Sequence, residues 1–214
     1  PWVPTCVTSL LPTIIFAMAR ASATLCASGF SQNTARPACS AAALIDVSPL
    51  FKYRITGADA TRLLDRVVTR DVSKARPGQV LYTSWCDGHG KVIDDGTVCR
   101  LGEQDYRLTS AEPSLRWLHR NAFGMQVAIE EISEALGALA LQGPLSRAVL
   151  NAVARDPVDT LGYFRAMDNR IAGVDFQVSR TGYTGDLGYE LWIPAGGALA
   201  VWDELMAAGR DYGI

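Results

Sequence analysis

From Ala42 onward, apolar positions recur in short runs that switch between a period of two and a helical period. Leu44 to Ile55 alternates, with a break at Pro49, and predicts one or two short strands. Gly57-Ala58-Asp59 leads into Ala60 to Val68, where Leu63, Leu64, Val67 and Val68 fall at helical spacing. Gln79 to Trp85 and Lys91 to Leu101 read as strands joined by a Gly-rich tip, Cys86-Asp87-Gly88-His89-Gly90. Tyr106 to Thr109 is a further strand, and Pro113 suits the first turn of a helix running to Ala122. Gln126 to Glu130 and Leu136 to Gln142 are predicted strands. Gly143-Pro144 then punctuates the chain before a helix over Leu145 to Arg155, with Ala148, Val149, Ala152 and Val153 inward. Arg155 to Arg165 carries no period. A last helix follows Gly196-Gly197, with Leu199, Trp202, Leu205 and Met206 as its buried stripe. Neighbouring strands are mostly joined by short turns. The pattern therefore predicts an α+β fold with antiparallel sheet and flanking helices, and not a doubly wound parallel sheet.

Residues 1–41 do not continue this pattern. No Asp or Glu occurs before Asp46, and only Arg20 and Arg36 carry charge. Leu10 to Ala19 is an apolar run of signal-peptide length, but it has no basic segment before it and Pro12 interrupts it. Among a targeting segment, a poorly ordered extension and sequence outside the true reading frame, the last two are preferred. This segment is expected to stay out of the core of residues 42–214. The sequence starts at Pro1 and stops at Ile214 after a helix-like segment, so a piece of a longer protein is expected.

Across 214 residues, 49% are hydrophobic and 20% charged, with a net charge of -2. That balance suits a globular core and gives no electrostatic footprint for nucleic acid or an anionic membrane. Five scattered cysteines form no Cys-x-x-Cys, and His89 and His119 lie far apart, so no metal site is expected. Reduced thiols in an intracellular protein are the simplest account.

Two stretches carry candidate chemistry. Ser179 to Trp192 reads S-R-T-G-Y-T-G-D-L-G-Y-E-L-W, a Gly-rich loop between the apolar runs Val174, Phe176, Val178 and Leu191, Ile193. It offers Tyr183, Tyr189, Asp186 and Glu190 to a planar ligand with a polar edge. The structural alternative is a plain hairpin. In Val92-Ile93-Asp94-Asp95-Gly96, the adjacent carboxylates must point to opposite faces of a strand. Asp95 shares its side with Ile93, Thr97, Cys99 and Leu101, so it is expected to be the more desolvated and the proton-handling one. Asp94 shares its side with Arg100, its expected partner. Tyr82 is placed to stack on a ligand or to pack in the core. Cys86 and Cys99 are expected as ordinary buried thiols, in strands that could bring them face to face across the hairpin.

These motifs fall in a familiar order: D-V-S at Asp46–Ser48, I-T-G-x-D-A at Ile55–Ala60, G-Q-V-L-Y-T at Gly78–Thr83 and G-K-V-I-D-D at Gly90–Asp95. L-A-L-Q-G-P at Leu139–Pro144 and R-T-G-Y-T-G-D-L-G-Y-E at Arg180–Glu190 follow. Together they resemble the aminomethyltransferase family, the glycine cleavage T-protein and its folate-dependent relatives, over residues 42–214. The resemblance implies folate-binding α+β domains, with a C-terminal β-barrel that lies beyond this sequence. It implies Asp95 as the catalytic carboxylate beside the reacting folate nitrogen. Tyr82 and Tyr183 would line the folate channel, Glu190 would hold the pterin edge, and Tyr163 and Phe164 would supply another ring.

The chain departs from the family at Asp87, where Asn is usual, and at Lys91, where a second Gly is usual. Leu108–Pro113 lacks the Asn that T-proteins place there. The resemblance implies tetrahydrofolate as cofactor and one-carbon transfer from a small methylated or aminomethylated donor. A lipoyl carrier protein is the implied partner in the glycine cleavage case. A cytoplasmic location is implied, with the mitochondrial matrix as alternative, and no nucleic acid or membrane partner. The competing readings are a folate-dependent demethylase, or the folate domain of a dimethylglycine or sarcosine dehydrogenase. A non-catalytic folate binder of iron–sulfur maintenance is a further alternative, but its Lys-Gly-Cys-Tyr-x-Gly-Gln motif is absent.

Overall fold

A computed structural model describes residues 42–214. The segment Leu10 to Ala19, and the expectation for residues 1–41 as a whole, lie outside the described residues. The elements run in order β1 (Ala43–Asp46), β2 (Phe51–Thr56), α1 (Ala60–Val67), β3 (Val80–Cys86), β4 (Val92–Gly102), β5 (Asp105–Ser110), α2 (Leu115–Asn121) and β6 (Ala128–Glu131). Then come β7 (Leu136–Gln142), α3 (Ser146–Val153), β8 (Ala166–Ile171), β9 (Val174–Ser179), β10 (Gly188–Pro194) and α4 (Ala198–Gly209).

The strands form two five-stranded antiparallel sheets. The first has the order β1-β7-β10-β9-β8 and the second β3-β4-β5-β2-β6. Each sheet is backed by helices on one face, where its large apolar side chains collect. Leu139, Leu141, Val178, Tyr189 and Leu191 of the first sheet pack on Val149 and Leu150 of α3 and on Trp202 and Leu205 of α4. Tyr53, Ile55, Trp85, Val98 and Leu108 of the second sheet pack on Leu63 and Leu64 of α1 and on Leu118 of α2. The α+β antiparallel class expected from the pattern is the observed one.

The alternate residues of both sheets face each other. Because side chains alternate along a strand, the inner faces take the smaller and more polar set. Register across the second sheet aligns Lys52, Thr109, Thr97 and Tyr82 in one row, and Arg107, Cys99 and Val80 in the next. The first sheet contributes Ala138, Ala140, Gln177, Ser179, Glu190 and Trp192. The sheets are tied together where the Cys99 thiol meets Gln177 Oε1 at 3.7 Å and where the Val80 N–H donates to the Phe164 carbonyl at 3.0 Å.

Several local expectations are corrected. Ala152 is exposed, and α3 turns Ser146, Val149 and Leu150 inward instead. Leu199 is 48% exposed, because α4 buries Ala198, Val201, Trp202 and Leu205. Strand β8 has no counterpart in the sequence reading; it is an edge strand of mixed polarity, A-M-D-N-R-I, paired with β9. Cys86 and Cys99 do not face one another: Cys99 is opposite Val80 and Cys86 opposite Val92, at different ends of the hairpin. Cys99 is buried and Cys86 only partly so. No described helix is long and apolar enough to cross a membrane.

Candidate functional site

The gap between the two inner faces opens into a cleft of about 480 Å³. Its walls include Leu50, Tyr82, Asp95, Thr97, Thr109 and Ser110 from the second sheet and its loops, and Thr181, Tyr183, Glu190 and Trp192 from the first. Tyr163 and Phe164 stand at the junction of the two sheets and line it as well. The six residues that the family resemblance implies for the site therefore reach one cavity, by different routes.

The Gly-rich loop is shaped by a residue that the sequence reading passed over. Gln142, at the end of β7, is 3% exposed and sits inside the loop. Its Nε2 donates to the carbonyls of Thr181 and Tyr189, both at 3.4 Å, and its Oε1 accepts from Thr184 Oγ1 at 3.0 Å. A Cβ on Gly182 or Gly188 would lie 2.2 or 2.0 Å from that oxygen, so both positions need glycine for close approach rather than for backbone twist. Only Gly185, with φ +82°, needs it for conformation. From sequence, Leu136 to Gln142 reads only as a strand ended by Gly143-Pro144. The signal available was its fixed place before the Gly-Pro break, opposite a loop with three glycines.

The loop does not present all four of its marked side chains. Tyr183 stands 70% exposed over the cleft mouth. Tyr189 is fully buried on the helix side, where its hydroxyl accepts from Arg147 Nε at 3.0 Å. Asp186 lines a smaller adjoining cavity of about 310 Å³ with Arg180. Glu190, on the opposite face of β10 from Tyr189, is 8% exposed and points into the cleft. Its Oε2 accepts a hydrogen bond from Thr181 Oγ1. Burial pushes the Glu190 carboxyl above its ordinary range, against the opposing pulls of that hydrogen bond and of the Arg107 cation.

The paired carboxylates of β4 diverge as the strand geometry requires, but their burial is the reverse of the expectation. Asp95 is exposed and Asp94 is 8% exposed. Asp94 turns to the helix side and serves the backbone. Its Oδ1 accepts from the Asp95 N–H at 2.8 Å, and its Oδ2 from the Glu112 N–H at 2.9 Å. Arg100 is not its partner: the guanidinium donates to the carbonyls of Ala75, Gly102 and Glu103. The sequence argument failed because Ile93 belongs to the exposed hairpin end, 40% accessible, and confers no apolar cover. Asp95 faces the cleft, where Tyr82 OH donates to its Oδ2. That bond, and the carboxylate charge behind it, push the Tyr82 phenol up, so it stays a donor at neutral pH.

Tyr163 and Phe164 meet edge to face, with centroids 4.5 Å apart and an interplanar angle of 81°. Phe164 adopts φ 55°, unusual for a residue with a side chain. It is held there by its N–H to the Arg180 carbonyl at 3.1 Å and by the Val80 N–H on its own carbonyl. Tyr163 and Tyr82, 69% and 54% exposed, complete an aromatic rim with Tyr183. Among the described residues, no cluster of three or more His, Cys, Asp or Glu is placed to hold a metal. The cleft thus combines one buried acceptor carboxylate, one exposed carboxylate bonded to a phenol, and aromatic surface between them. That set suits a flat heterocycle with an N–H edge.

Comparison with known proteins agrees with this architecture. The model of the GCVT N-terminal domain matches residues 26–214. The aminomethyltransferase of Moorella thermoacetica is 37% identical over 177 residues, covering 81% of this chain and 48% of the relative. The chain spans about half the length of the curated relatives it matches. A protein named trimethylamine-oxide aldolase from Ruegeria pomeroyi is 37% identical over 182 residues, covering 80% of this chain and 23% of the relative. Among solved structures, the glycine cleavage system aminomethyltransferase T of Bartonella henselae superposes with a TM-score of 0.71 at 26% identity, over 80% of this chain and 47% of that one. With the family model covering nearly all of the sequence, the chain belongs to the GCVT N-terminal domain family.

Proposed function

We propose that this chain forms the folate-binding part of a tetrahydrofolate-dependent one-carbon transferase of the aminomethyltransferase type. The observation that carries the reading is the convergence of Glu190 and the Asp95–Tyr82 pair on one aromatic-rimmed cleft from opposite sheets. The residues fit a pterin. Glu190 is a buried acceptor with Oε1 left over after Thr181 takes Oε2, and the cleft volume lies in the range of ligand sites. Bound tetrahydrofolate supplies the amine that accepts the one-carbon unit. Glu190 would anchor the ring's N–H edge through charge-assisted hydrogen bonds. Tyr82, Tyr163, Phe164 and Tyr183 would pack on the flat surfaces and exclude water from them. Tyr82 occupies one oxygen of Asp95, so the other is free to take or return a proton at the reacting nitrogen.

The donor reading that the relatives' names support is an aminomethyl group. The lipoyl carrier protein implied by the sequence resemblance is the partner proposed to bring it. One observation favours a second reading, a folate-dependent demethylase. The Ruegeria relative named for trimethylamine oxide is as similar as the first aminomethyltransferases, at 37% identity. The cleft chemistry is the same in both, since only the donor differs. The test of the shared reading is calorimetric titration of tetrahydrofolate into the chain and into Glu190→Ala. Loss of a hydrogen-bonded charge should weaken binding by roughly 1.5–3 kcal/mol. Equal affinity in the two proteins would remove Glu190 from the site.

A further inference from the structure

Glu190 is not held by Thr181 alone. Thr181 Oγ1 lies 2.8 Å from Ser179 Oγ, and Ser179 Oγ accepts from Trp192 Nε1 at 3.1 Å. An indole N–H can only donate, so the chain has a fixed starting end. With Glu190 ionised, Thr181 spends its proton on the carboxylate, Ser179 spends its own on Thr181, and every bond runs toward Glu190. With Glu190 protonated on Oε2, Thr181 would turn back to Ser179. The Ser179 proton would then be left with the Glu190 carbonyl at 3.4 Å. Both patterns are geometrically open, so something outside the chain must choose.

Arg107 lies beside the start of that chain. It reaches across from β5, is 5% exposed, and forms no salt bridge among the described residues. Its Nε is buried without a partner. Its guanidinium carbon sits 4.1 Å from the centroid of the Trp192 ring, on the same side chain that starts the relay. Burying an unpaired cation is unfavourable unless its field acts on something nearby. The titratable groups that face it are Glu190 from β10, Cys99 from β4 and Lys52 from β2. Glu190 is the only carboxylate among the three.

We propose that Arg107, Trp192, Ser179 and Thr181 are positioning residues that hold Glu190 ionised with Oε1 free, so that the inner end of the cleft selects a ligand edge of adjacent N–H donors. The ligand half of this inference rests on the folate reading; the protonation half does not. The physical division of labour is direct. The relay orients the carboxylate and supplies donated protons, and the buried cation offsets the burial that opposes its charge.

The test reads Glu190 itself. Carbon-13 NMR titration of the glutamate side-chain carboxyls, with the Glu190 signal assigned by its loss in Glu190→Gln, follows the chain without ligand. In Arg107→Met the Glu190 midpoint should rise by about one pH unit, a tenfold gain in proton affinity, and Arg107→Lys should restore most of it. A wild-type midpoint in a folded Arg107→Met chain overturns the proposal. Should Arg107→Met not fold, Thr181→Val removes the donor at the other end at nearly constant volume. The same upward shift is expected there, and an unchanged midpoint again overturns it. On the ligand side, Arg107→Met should bind tetrahydrofolate more weakly than wild type, by up to about tenfold below both Glu190 midpoints, and the two affinities should converge as pH rises above them. A loss of equal size at every pH would mean that Arg107 acts by packing alone, and would overturn the proposal. A wild-type chain that binds no tetrahydrofolate, while Glu190 still responds to Arg107, removes the folate reading and leaves the positioning role in place.

Discussion

Asp95 and Glu190 face one cleft from opposite sheets, yet their surroundings differ at every level. Glu190 is 8% exposed, tied into a relay of hydroxyls and an indole, with a buried cation nearby. Asp95 is exposed, and a phenol that is itself half in water is its side-chain partner. A carboxylate bound on one oxygen and desolvated is a fixed recognition element, because moving it breaks several bonds at once. A carboxylate open to solvent on one side can exchange a proton with a ligand and with water in turn. On the function proposed above, that difference would give binding to the first sheet and proton transfer to the second.

The largest expected effect separates those roles. Asp95→Asn keeps the shape and removes the charge, so single-turnover transfer of a one-carbon unit to tetrahydrofolate should fall roughly 10²-fold or more. Tetrahydrofolate affinity and melting temperature should stay near wild type, because Asp95 is exposed. A variant with normal turnover but weakened binding would make Asp95 a second recognition element and erase the contrast between the walls.

Next comes Asp94, one residue away and opposite in every respect. Its two oxygens satisfy the backbone N–H groups of Asp95 and Glu112. Asp94→Asn replaces one acceptor by a donor, leaving one of those N–H groups opposed, at a cost of about 1–3 kcal/mol. The melting temperature should drop, and turnover should follow only as far as the Ser110–Ala111 wall of the cleft shifts. Unchanged stability would mean that the loop after β5 is held by other contacts.

How far the sequence reveals such a site depends on whether the deciding contact is local. Alternation placed every strand region but β8, with β1 and β2 read as one or two strands, because helices cover one face of each sheet and the pattern records that cover. It also set Asp94 against Asp95 and Tyr189 against Glu190, since divergence of neighbours is a property of one strand. Depth was the failure. Asp95 was expected to be the desolvated partner, although what buries Asp94 is the loop at Glu112, eighteen residues on. The relay behind Glu190 was equally invisible. Arg107 lies in a strand reading D-Y-R-L-T-S, where an arginine between Tyr and Leu looks solvent-facing. Only the first sheet, closing over it with Trp192, makes it a buried cation. β8 escaped because its face is half polar, as an edge strand's often is.

The smallest effect concerns what keeps the two walls in register. The loop from β1 to β2 crosses from one sheet to the other and carries Leu50, which lines the cleft. Lys52, fully buried, fastens that loop by donating from Nζ to the carbonyls of Ser48 and Leu50, each at 2.8 Å. Burial lowers the Lys52 ammonium from 10.5 to about 8, with Asp46 pulling upward and Arg107 adding to the depression. Because the folded value lies below the unfolded one, the unfolded chain binds more protons between these two pH values. Stability must therefore rise with pH across that window, and the cost of the buried charge is fully present below about pH 8. From pH 7 to pH 9 the gain from this one group should be about 1 kcal/mol. Urea unfolding at the two pH values, in the chain and in Lys52→Met, isolates it: the variant cannot titrate there and should lose the increment. If both proteins respond alike, Lys52 stays charged through the window. The strap between the walls would then hold by its two carbonyl bonds whatever the pH.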